Sequence, residues 1–571
     1  MRPTPIEFGA SPAIKNEENT PADMTEKTSV SAEKNKVDVE DEDAYRQRVY
    51  GTSEYQTAEP GCKLTQIKEG SFRRFSKQLS RQLSRRSSSL LESLPETPAG
   101  WTVLLSVVIS SLLGYEIQIQ KKLTAPPITF GQFRSSGGIM ASIYEKLTAT
   151  PDSILSRPIQ PSLFVGTRGA LASIAAYLLG GPSSTAKHAR FREIVQMTQD
   201  GAKIGVDWEV PLETSSSSQS LSIDDRRNQI LNGPIREPVV IILHGTNNDA
   251  SFGYVKSLSR TFANRGWNAA AMNFRGVGGV PMATPRGYTA GYTGDLRCLV
   301  HAISGRLAEN VPLFLVGNSV GGNILTKYLG EEGFSETLPA CVACAVSLGN
   351  PLSMHSGNIP YPFSVLMALG VKKFYLENWS RLHGMNDPAF QAAVRKGFLA
   401  NTLGSIDRAV APIRIRNDAF YPFSSRIGYE SGEAYWHDSS SYRFVRFISV
   451  PFLHVTAEDD FLVSRPSRNK IGFCLENPNV MVIETRCGGH LGWQETPPES
   501  TFGASSWADV ASADFFQSLM DTNMEHFGSP VGRNYGRLQG SKDSGKAGIY
   551  VPISSIRGDV MNSMSEVRSR L

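Results

Sequence analysis

Residues 312–329 constrain the fold more than any other stretch of this chain. Pro312-Leu-Phe-Leu-Val316 is a continuous apolar run, Gly317-Asn318-Ser319-Val320-Gly321 follows it, and Gly322-Asn-Ile-Leu-Thr-Lys-Tyr-Leu329 has the composition of a helix. A run that is apolar at every position suits a strand buried on both faces. It passes into a helix within five residues only through a sharp turn, and glycines two positions either side of Ser319 let strand and helix approach each other there. The frame predicts a two-sided sheet and sets the Ser319 hydroxyl above its edge.

The flanking sequence carries the same rhythm. A hairpin is expected from Arg192–Asp200 and Gly205–Val210, then strand Val239–Leu243, helix Tyr254–Asn264, strand Asn268–Phe274, helix Asp295–Arg306, strand Leu313–Val316 and helix Gly322–Leu329. Strands Val342–Leu348, Phe452–Thr456 and Val480–Glu484 and a helix near Val510–Met520 complete the pattern. Alternation of this kind predicts an α/β class with a mostly parallel central sheet flanked by helices. Pro351 to Ser449, rich in Phe, Tyr, Trp and Met, separates two sheet strands by far more than a βα connection needs. It reads as a helical lid insertion at about 352–448.

Two further segments follow strands as Ser319 does: Asp459-Asp460-Phe461-Leu462-Val463 after Phe452–Thr456, and Gly488-Gly489-His490 after Val480–Glu484. A serine hydroxyl is a poor nucleophile at neutral pH and needs an adjacent base. His490, with two glycines leaving space around its ring, is the base expected here. Either Asp459 or Asp460 can supply the carboxylate that holds the imidazole tautomer and stabilises its charged form. An oxyanion hole needs backbone N–H groups aimed at developing charge. Val320, directly after the serine, is expected to give one, and Thr246, in the His244-Gly245-Thr246 turn after Val239–Leu243, the other. Such a Ser-His-Asp set cleaves carboxylic esters, thioesters or amides through an acyl-enzyme, and the aromatic insertion favours esters of an apolar acyl group.

Outside this core, residues 1–98 are polar and rich in Ser, Pro and Thr, a composition that predicts disorder. Trp101–Leu113 is almost wholly apolar, and 99–116 is read as a transmembrane anchor, joined by a connecting segment at 117–190 to a domain at 191–530. Lys68, Arg73, Arg74, Lys77, Arg81, Arg85 and Arg86 lie just upstream. By the positive-inside bias they predict a single-pass endomembrane protein with a cytosolic N-terminus. The terminal Ser569-Arg570-Leu571 resembles a peroxisomal address and closes a Ser/Gly/Lys-rich tail at 531–571. Fifty-eight Lys and Arg against 54 Asp and Glu leave a net charge of only +4, and no nucleic-acid partner is expected. Six cysteines are scattered; Cys341 and Cys344 sit in an apolar run as core thiols, and neither metal nor cofactor is expected. The partners anticipated are a lipid or small acyl-ester substrate and a membrane.

The ordered segments Asp200-Gly201, Asp207-Trp208, His244-Gly245, Asn273-Phe274-Arg275-Gly276, Thr284-Pro285-Arg286, Gly317-x-Ser319-x-Gly321-Gly322-Asn323, Tyr328-Leu329-Gly330-Glu331-Glu332-Gly333, Gly349-Asn350-Pro351 and Gly488-Gly489-His490-x-Gly492 run from about 190 to 525. Together the chain resembles family 4 of the α/β-hydrolase superfamily, the YheT-like and embryogenesis-associated-protein-like serine esterases. The resemblance implies a serine esterase or lipase on short- to medium-chain acyl esters, with Ser319, Asp460 and His490 as its triad. Asp460 is preferred to Asp459 because Asp460-Phe-Leu-Val463 matches the run that follows the acid in hydrolase folds. Eukaryotic members are often single-pass membrane proteins, some of them phospholipases. Two departures stand out: Thr246-Asn247-Asn248-Asp249 replaces the glycines usual after His-Gly, and Gly169-Ala-Leu-Ala-Ser173 replaces a more polar segment. Acyl transfer to an alcohol, and a non-catalytic scaffold on the same fold, are the competing readings.

Overall fold

The computed structural model of this chain describes residues 98–133, 138–178, 188–197, 200–212, 222–378, 387–418, 424–463, 469–495 and 506–527. Among them the strands are Ile128–Phe130 (β1), His188–Gln196 (β2), Lys203–Pro211 (β3), Val239–Leu243 (β4), Asn268–Asn273 (β5), Leu313–Asn318 (β6), Val342–Leu348 (β7), Ile415–Asn417 (β8), Ser425–Ile427 (β9), Phe452–Ala457 (β10) and Val480–Thr485 (β11). Nine form one sheet in the order β1-β11-β10-β7-β6-β4-β5-β3-β2. From β5 to β11 the pairing is parallel; β1 at one edge and the β2–β3 hairpin at the other are antiparallel. The α/β architecture is the one the alternating pattern predicts. β1 in this sheet, and β8 and β9 inside the insertion expected to be helical, were missed, because three residues are too few to carry a periodic signal.

The all-apolar strands are central because helices cover both faces. Successive side chains of one strand point to opposite sides. Val240, Ile242, Phe314 and Val316 therefore enter one buried cluster, while Ile241, Leu243, Leu313 and Leu315 enter the other. On the first face Phe314 stacks on Phe516 of helix Trp507–Phe527, ring centroids 4.5 Å apart. Buried polar groups fix the loops at the carboxyl ends of the strands. Arg275, just after β5, pairs with Asp295 at 2.5 Å and Asp200 at 2.6 Å. The guanidinium thereby ties the turn between β2 and β3 to the first turn of helix Gly294–Ser304.

The segment between β7 and β10 holds helices Phe363–Glu377, Pro388–Leu399, Leu403–Val410 and Gly432–Ser439 and the small β8–β9 hairpin. It is tied down by side-chain bonds. Asn417 Nδ2 donates to both Glu331 carboxylate oxygens at 2.9 Å, Thr289 Oγ1 to the Ile415 carbonyl at 3.0 Å, and Asn323 Nδ2 to the Ser439 carbonyl at 2.7 Å.

The expected transmembrane anchor is corrected. Its residues belong to a 26-residue helix, Pro98–Leu123, yet among the described residues no helix is long and apolar enough to cross a membrane. The apolar run Trp101–Leu113 spans about 20 Å at the helical rise, against about 30 Å of hydrocarbon. Beyond it come Glu116, Gln118, Gln120, Lys121 and Lys122, and this end is packed into the protein. Glu116 is buried and accepts from Thr167 Oγ1 and Arg168, and Gln120 Nε2 donates to the Pro161 carbonyl at 2.7 Å. The single-pass endomembrane localisation and N-terminal orientation lose their basis with it. The anticipated N-terminal disorder, the basic segment at 68–86, and the tail with its terminal Ser569-Arg570-Leu571 lie outside the described residues.

One buried carboxyl makes stability pH-dependent. Asp509 is enclosed between helices Trp507–Phe527 and Gly253–Asn264, where it accepts from Ser257 Oγ. Burial pushes its pKa up to about 7 from the ordinary 3.8. The folded protein thus holds this proton more tightly than the unfolded chain, so the stability it brings is complete below about pH 4 and is lost as pH rises to about 7. Asp509→Asn is expected to flatten the fall in melting temperature between pH 5 and 7.5, measured by calorimetry; an unchanged slope would contradict this.

Candidate active site

The site is assembled along one edge of the sheet, at the carboxyl ends of β6, β10 and β11, with β7 between β6 and β10. At the end of β6, Ser319 has φ 53° and ψ −117°, outside the ordinary regions for a residue with a side chain. Its amide donates to the Leu348 carbonyl at the end of β7 at 2.8 Å, and Asn318 Nδ2 donates to the Leu243 carbonyl at the end of β4 at 2.9 Å. The turn is thus pinned to both neighbouring strands. Its glycines are steric requirements. A Cβ on Gly317 would lie 2.5 Å from the Gly321 carbonyl oxygen, and one on Gly321 2.6 Å from that of His244.

His490 sits five residues past β11. Its Nε2 lies 2.8 Å from Ser319 Oγ and its Nδ1 2.9 Å from Asp460 Oδ2. His490 and Asp460 are buried, whereas Ser319 is half-buried and lines a cavity. The other oxygen of Asp460, Oδ1, accepts from the Leu462 and Val463 amides at 2.9 and 3.0 Å. With the carboxylate held on both sides, Nδ1 carries the proton and Nε2 is left to face the serine. Of the two candidate acids, then, it is Asp460 that meets the imidazole.

Asp459 does not point to solvent. Its Oδ1 accepts from the Gly489 amide at 2.7 Å, and half-burial is the main cause that raises its pKa. A second anchor was missed altogether: Ser173 Oγ accepts from the His490 amide at 2.8 Å and donates to the Gly169 carbonyl at 2.8 Å. Helix Gly169–Leu178 therefore lies directly against the histidine loop, and a Cβ on Gly489 would meet the Gly169 oxygen at 2.0 Å. The only sequence signal was that Gly169–Ser173 occupies the place of a recurrent family segment.

The loop after β4 is fixed residue by residue. Gly245 N donates to Tyr254 OH at 2.7 Å, and Asn247 N to Tyr288 OH at 3.1 Å. Thr246 lies between these anchored amides, its own N–H without an acceptor among the described residues. His244 Nδ1 donates to the Gly245 carbonyl at 2.8 Å, and its Nε2 accepts from the Phe274 amide at 3.3 Å. Burial lowers the His244 pKa to about 4, so the ring stays neutral and keeps that tautomer. The Gly245 carbonyl and the Thr246 N–H share one peptide plane, so fixing the first aims the second. Asn247 holds φ 61°, a left-handed conformation better tolerated by Asn than by most residues.

Thr246, Ser319, Val320 and His490 line one cleft enclosing about 1000 Å³, part of it open to solvent. The insertion supplies most of its wall, including Met354, Met367, Val371, Phe374 and Leu403. At its polar end Arg414 pairs with Asp407, which also accepts from Ser356 Oγ and from Trp436 Nε1 at 3.0 Å. Among the described residues no group of His, Cys, Asp and Glu could hold a metal ion, and Cys344 is a buried thiol of β7.

One family and several curated relatives match this chain. The family described as serine aminopeptidase, S33 (Hydrolase_4) matches residues 235–397. Embryogenesis-associated protein EMB8 of Picea glauca is 27% identical over 382 residues, 65% of this chain and 74% of that protein. Phospholipase ABHD3 of Mus musculus is 26% identical over 348 residues, 59% and 74% of the two chains. Monoacylglycerol lipase of Saccharomyces cerevisiae is 26% identical over 273 residues, 46% of this chain and 56% of the lipase.

Replacing Gly317 tests the packing of the turn. Gly317→Ala is expected to destabilise the protein by about 1–3 kcal/mol, as overpacking does, in chemical denaturation. A midpoint equal to that of the unaltered protein would show that the turn has room.

Proposed function

We propose that this chain, which belongs to the α/β-hydrolase superfamily, cleaves acyl esters with Ser319 as nucleophile, His490 as general base and Asp460 as the carboxylate that orients it. The chain is a carboxylic ester hydrolase, as its lipase and phospholipase relatives are named. The observation that carries the residue assignment is the unbroken relay from Ser319 Oγ through the imidazole to Asp460, 2.8 and 2.9 Å long. In it His490 takes the serine proton as Oγ attacks the ester carbonyl, and the Thr246 and Val320 N–H groups receive the developing oxyanion. His490 then returns the proton to the departing alcohol. Water, activated by the same imidazole, adds to the acyl-serine and releases the acid, restoring Ser319.

The substrate favoured is an ester of a short- or medium-chain acid, or an acylglycerol or phospholipid. The apolar side chains of Met354, Met367, Val371 and Leu403 suit an acyl chain. On the outside of the insertion Tyr361, Leu366, Leu369 and Leu376 are exposed, a face suited to resting on lipid without crossing it.

A fluorophosphonate is expected to modify the wild type at Ser319 and to leave Ser319→Ala unmodified. Equal labelling of both would refute the assignment. Hydrolysis of p-nitrophenyl butyrate separates the two aspartates. Asp460→Asn should lower kcat about 10⁴-fold by allowing the wrong tautomer. Asp459→Asn, whose amide oxygen can still accept from Gly489, should lose less than about tenfold. Reversal of that order would move the orienting role to Asp459.

A further inference from the structure

Helix Phe363–Glu377 of the insertion crosses the carboxyl ends of the central strands, and three contacts fix its course. At its first residue the Phe363 ring packs on Phe461, next to Asp460, with centroids 4.3 Å apart. Further along, the Met367 carbonyl accepts from Asn247 Nδ2, in the loop after β4, at 2.9 Å. Just past its end Asn378 Nδ2 donates to the Gly276 carbonyl, in the turn after β5, at 3.0 Å. The succession β10, β4, β5 is that of the strands across the sheet. Four strand spacings from β10 to β5 amount to about 19 Å, and the 15-residue helix to about 22 Å. Met367, Val371, Phe374 and Tyr375 lie on its cleft face, while Leu366, Leu369 and Leu376 are exposed on the other side.

The Phe374 ring occupies a slot between two glycines of the sheet's loops. A Cβ on Gly276 would lie 2.9 Å from its Cε2, and one on Gly287 3.0 Å from its Cζ. The same residue lines a second, smaller cavity of about 320 Å³, partly open to solvent, together with Met282, Pro285, Phe390 and Ile413. Phe374, Tyr375, Tyr288, Thr289 and Arg414 border both spaces and so form the wall between them. Tyr288 holds the Asn247 amide, Thr289 the Ile415 carbonyl and Arg414 the Asp407 carboxylate. Phe374 gives this wall only an apolar ring.

The chemistry at Ser319 gives a bound ester its direction. His490 returns a proton to the departing alcohol, so the alcohol lies on the side of β10 and β11. The acyl chain takes the side away from His490, toward β4 and β5. We propose that Phe374 limits the length of the acyl group: the chain runs from Ser319 along helix Phe363–Glu377 and stops against this ring. This inference rests on the ester-hydrolase reading and deepens it. Two strand spacings separate β6 from β5, about 10 Å, close to the extended length of an octanoyl group. A longer chain meets the ring, and the apolar space behind it stays closed.

The test measures kcat/KM for p-nitrophenyl butyrate, octanoate and laurate below their critical micelle concentrations. The wild type is expected to accept octanoate and to discriminate against laurate. Phe374→Ala joins the two spaces and should raise the laurate-to-butyrate ratio roughly tenfold to a hundredfold, the further methylenes then leaving water. Val371→Phe puts a ring one turn nearer Ser319 and should instead lower the octanoate-to-butyrate ratio about tenfold. A wild type that takes laurate as readily as butyrate overturns the proposal. So does an unchanged laurate ratio in a Phe374→Ala protein that still takes fluorophosphonate at Ser319. If that variant does not fold, an unchanged octanoate ratio in Val371→Phe overturns it equally. Failure of the underlying reading looks different, because Ser319→Ala would then hydrolyse all three esters as the wild type does.

Discussion

Ser319 is held at a positive φ that costs an ordinary residue on the order of 1–3 kcal/mol, and much of the surrounding structure can be understood as holding it there. Its amide is tied to the end of β7, its neighbour Asn318 to the end of β4, and the helix that follows begins one residue later. The pentapeptide glycines are consequences of the same constraint, since strand, turn and helix approach to distances that no Cβ at 317 or 321 could share. The strain lifts one hydroxyl out of the backbone plane at the carboxyl end of β6, between the ends of β4 and β7.

Around that hydroxyl, positioning is layered outward in hydrogen bonds. His490 is set by Asp460 through its ring and by Ser173 through its amide, while the glycine before it is held by Asp459. The loop after β4 is set by Tyr254, Tyr288 and the neutral ring of His244. The insertion reaches this loop through Asn247 and Met367, and it reaches the helix after Ser319 through Asn323 and Glu331. Groups far apart in the chain thus share one rigid scaffold, which is what an acyl-transfer site needs, since its geometry must be in place before charge develops.

The sequence made some of this legible and not the rest. The central strands could be read because burial on both faces makes them apolar at every position, and the serine, acid and histidine because each closes such a strand. Asp459 and Asp460 are adjacent and chemically alike, and only the path of the loop decides which reaches the imidazole. Ser173 was invisible because its partner is a backbone amide more than 300 residues away, which leaves no pattern in composition or spacing. β1 is three residues long and defined wholly by its partner β11. The apolar run at 101–113 misled for the opposite reason. Its local composition is that of a membrane segment, but its length is not, and the polar turns that extend the helix are used to dock Glu116 and Gln120 on the protein.

Trapping the acylated intermediate tests the central claim most directly. The protein would be mixed with p-nitrophenyl butyrate, quenched in acid within milliseconds, digested and mapped by mass spectrometry. A butyryl group is expected on the peptide containing Ser319 and on that serine alone, appearing and decaying with turnover. Steady hydrolysis with no acyl adduct, or an adduct confined to another residue, would contradict it.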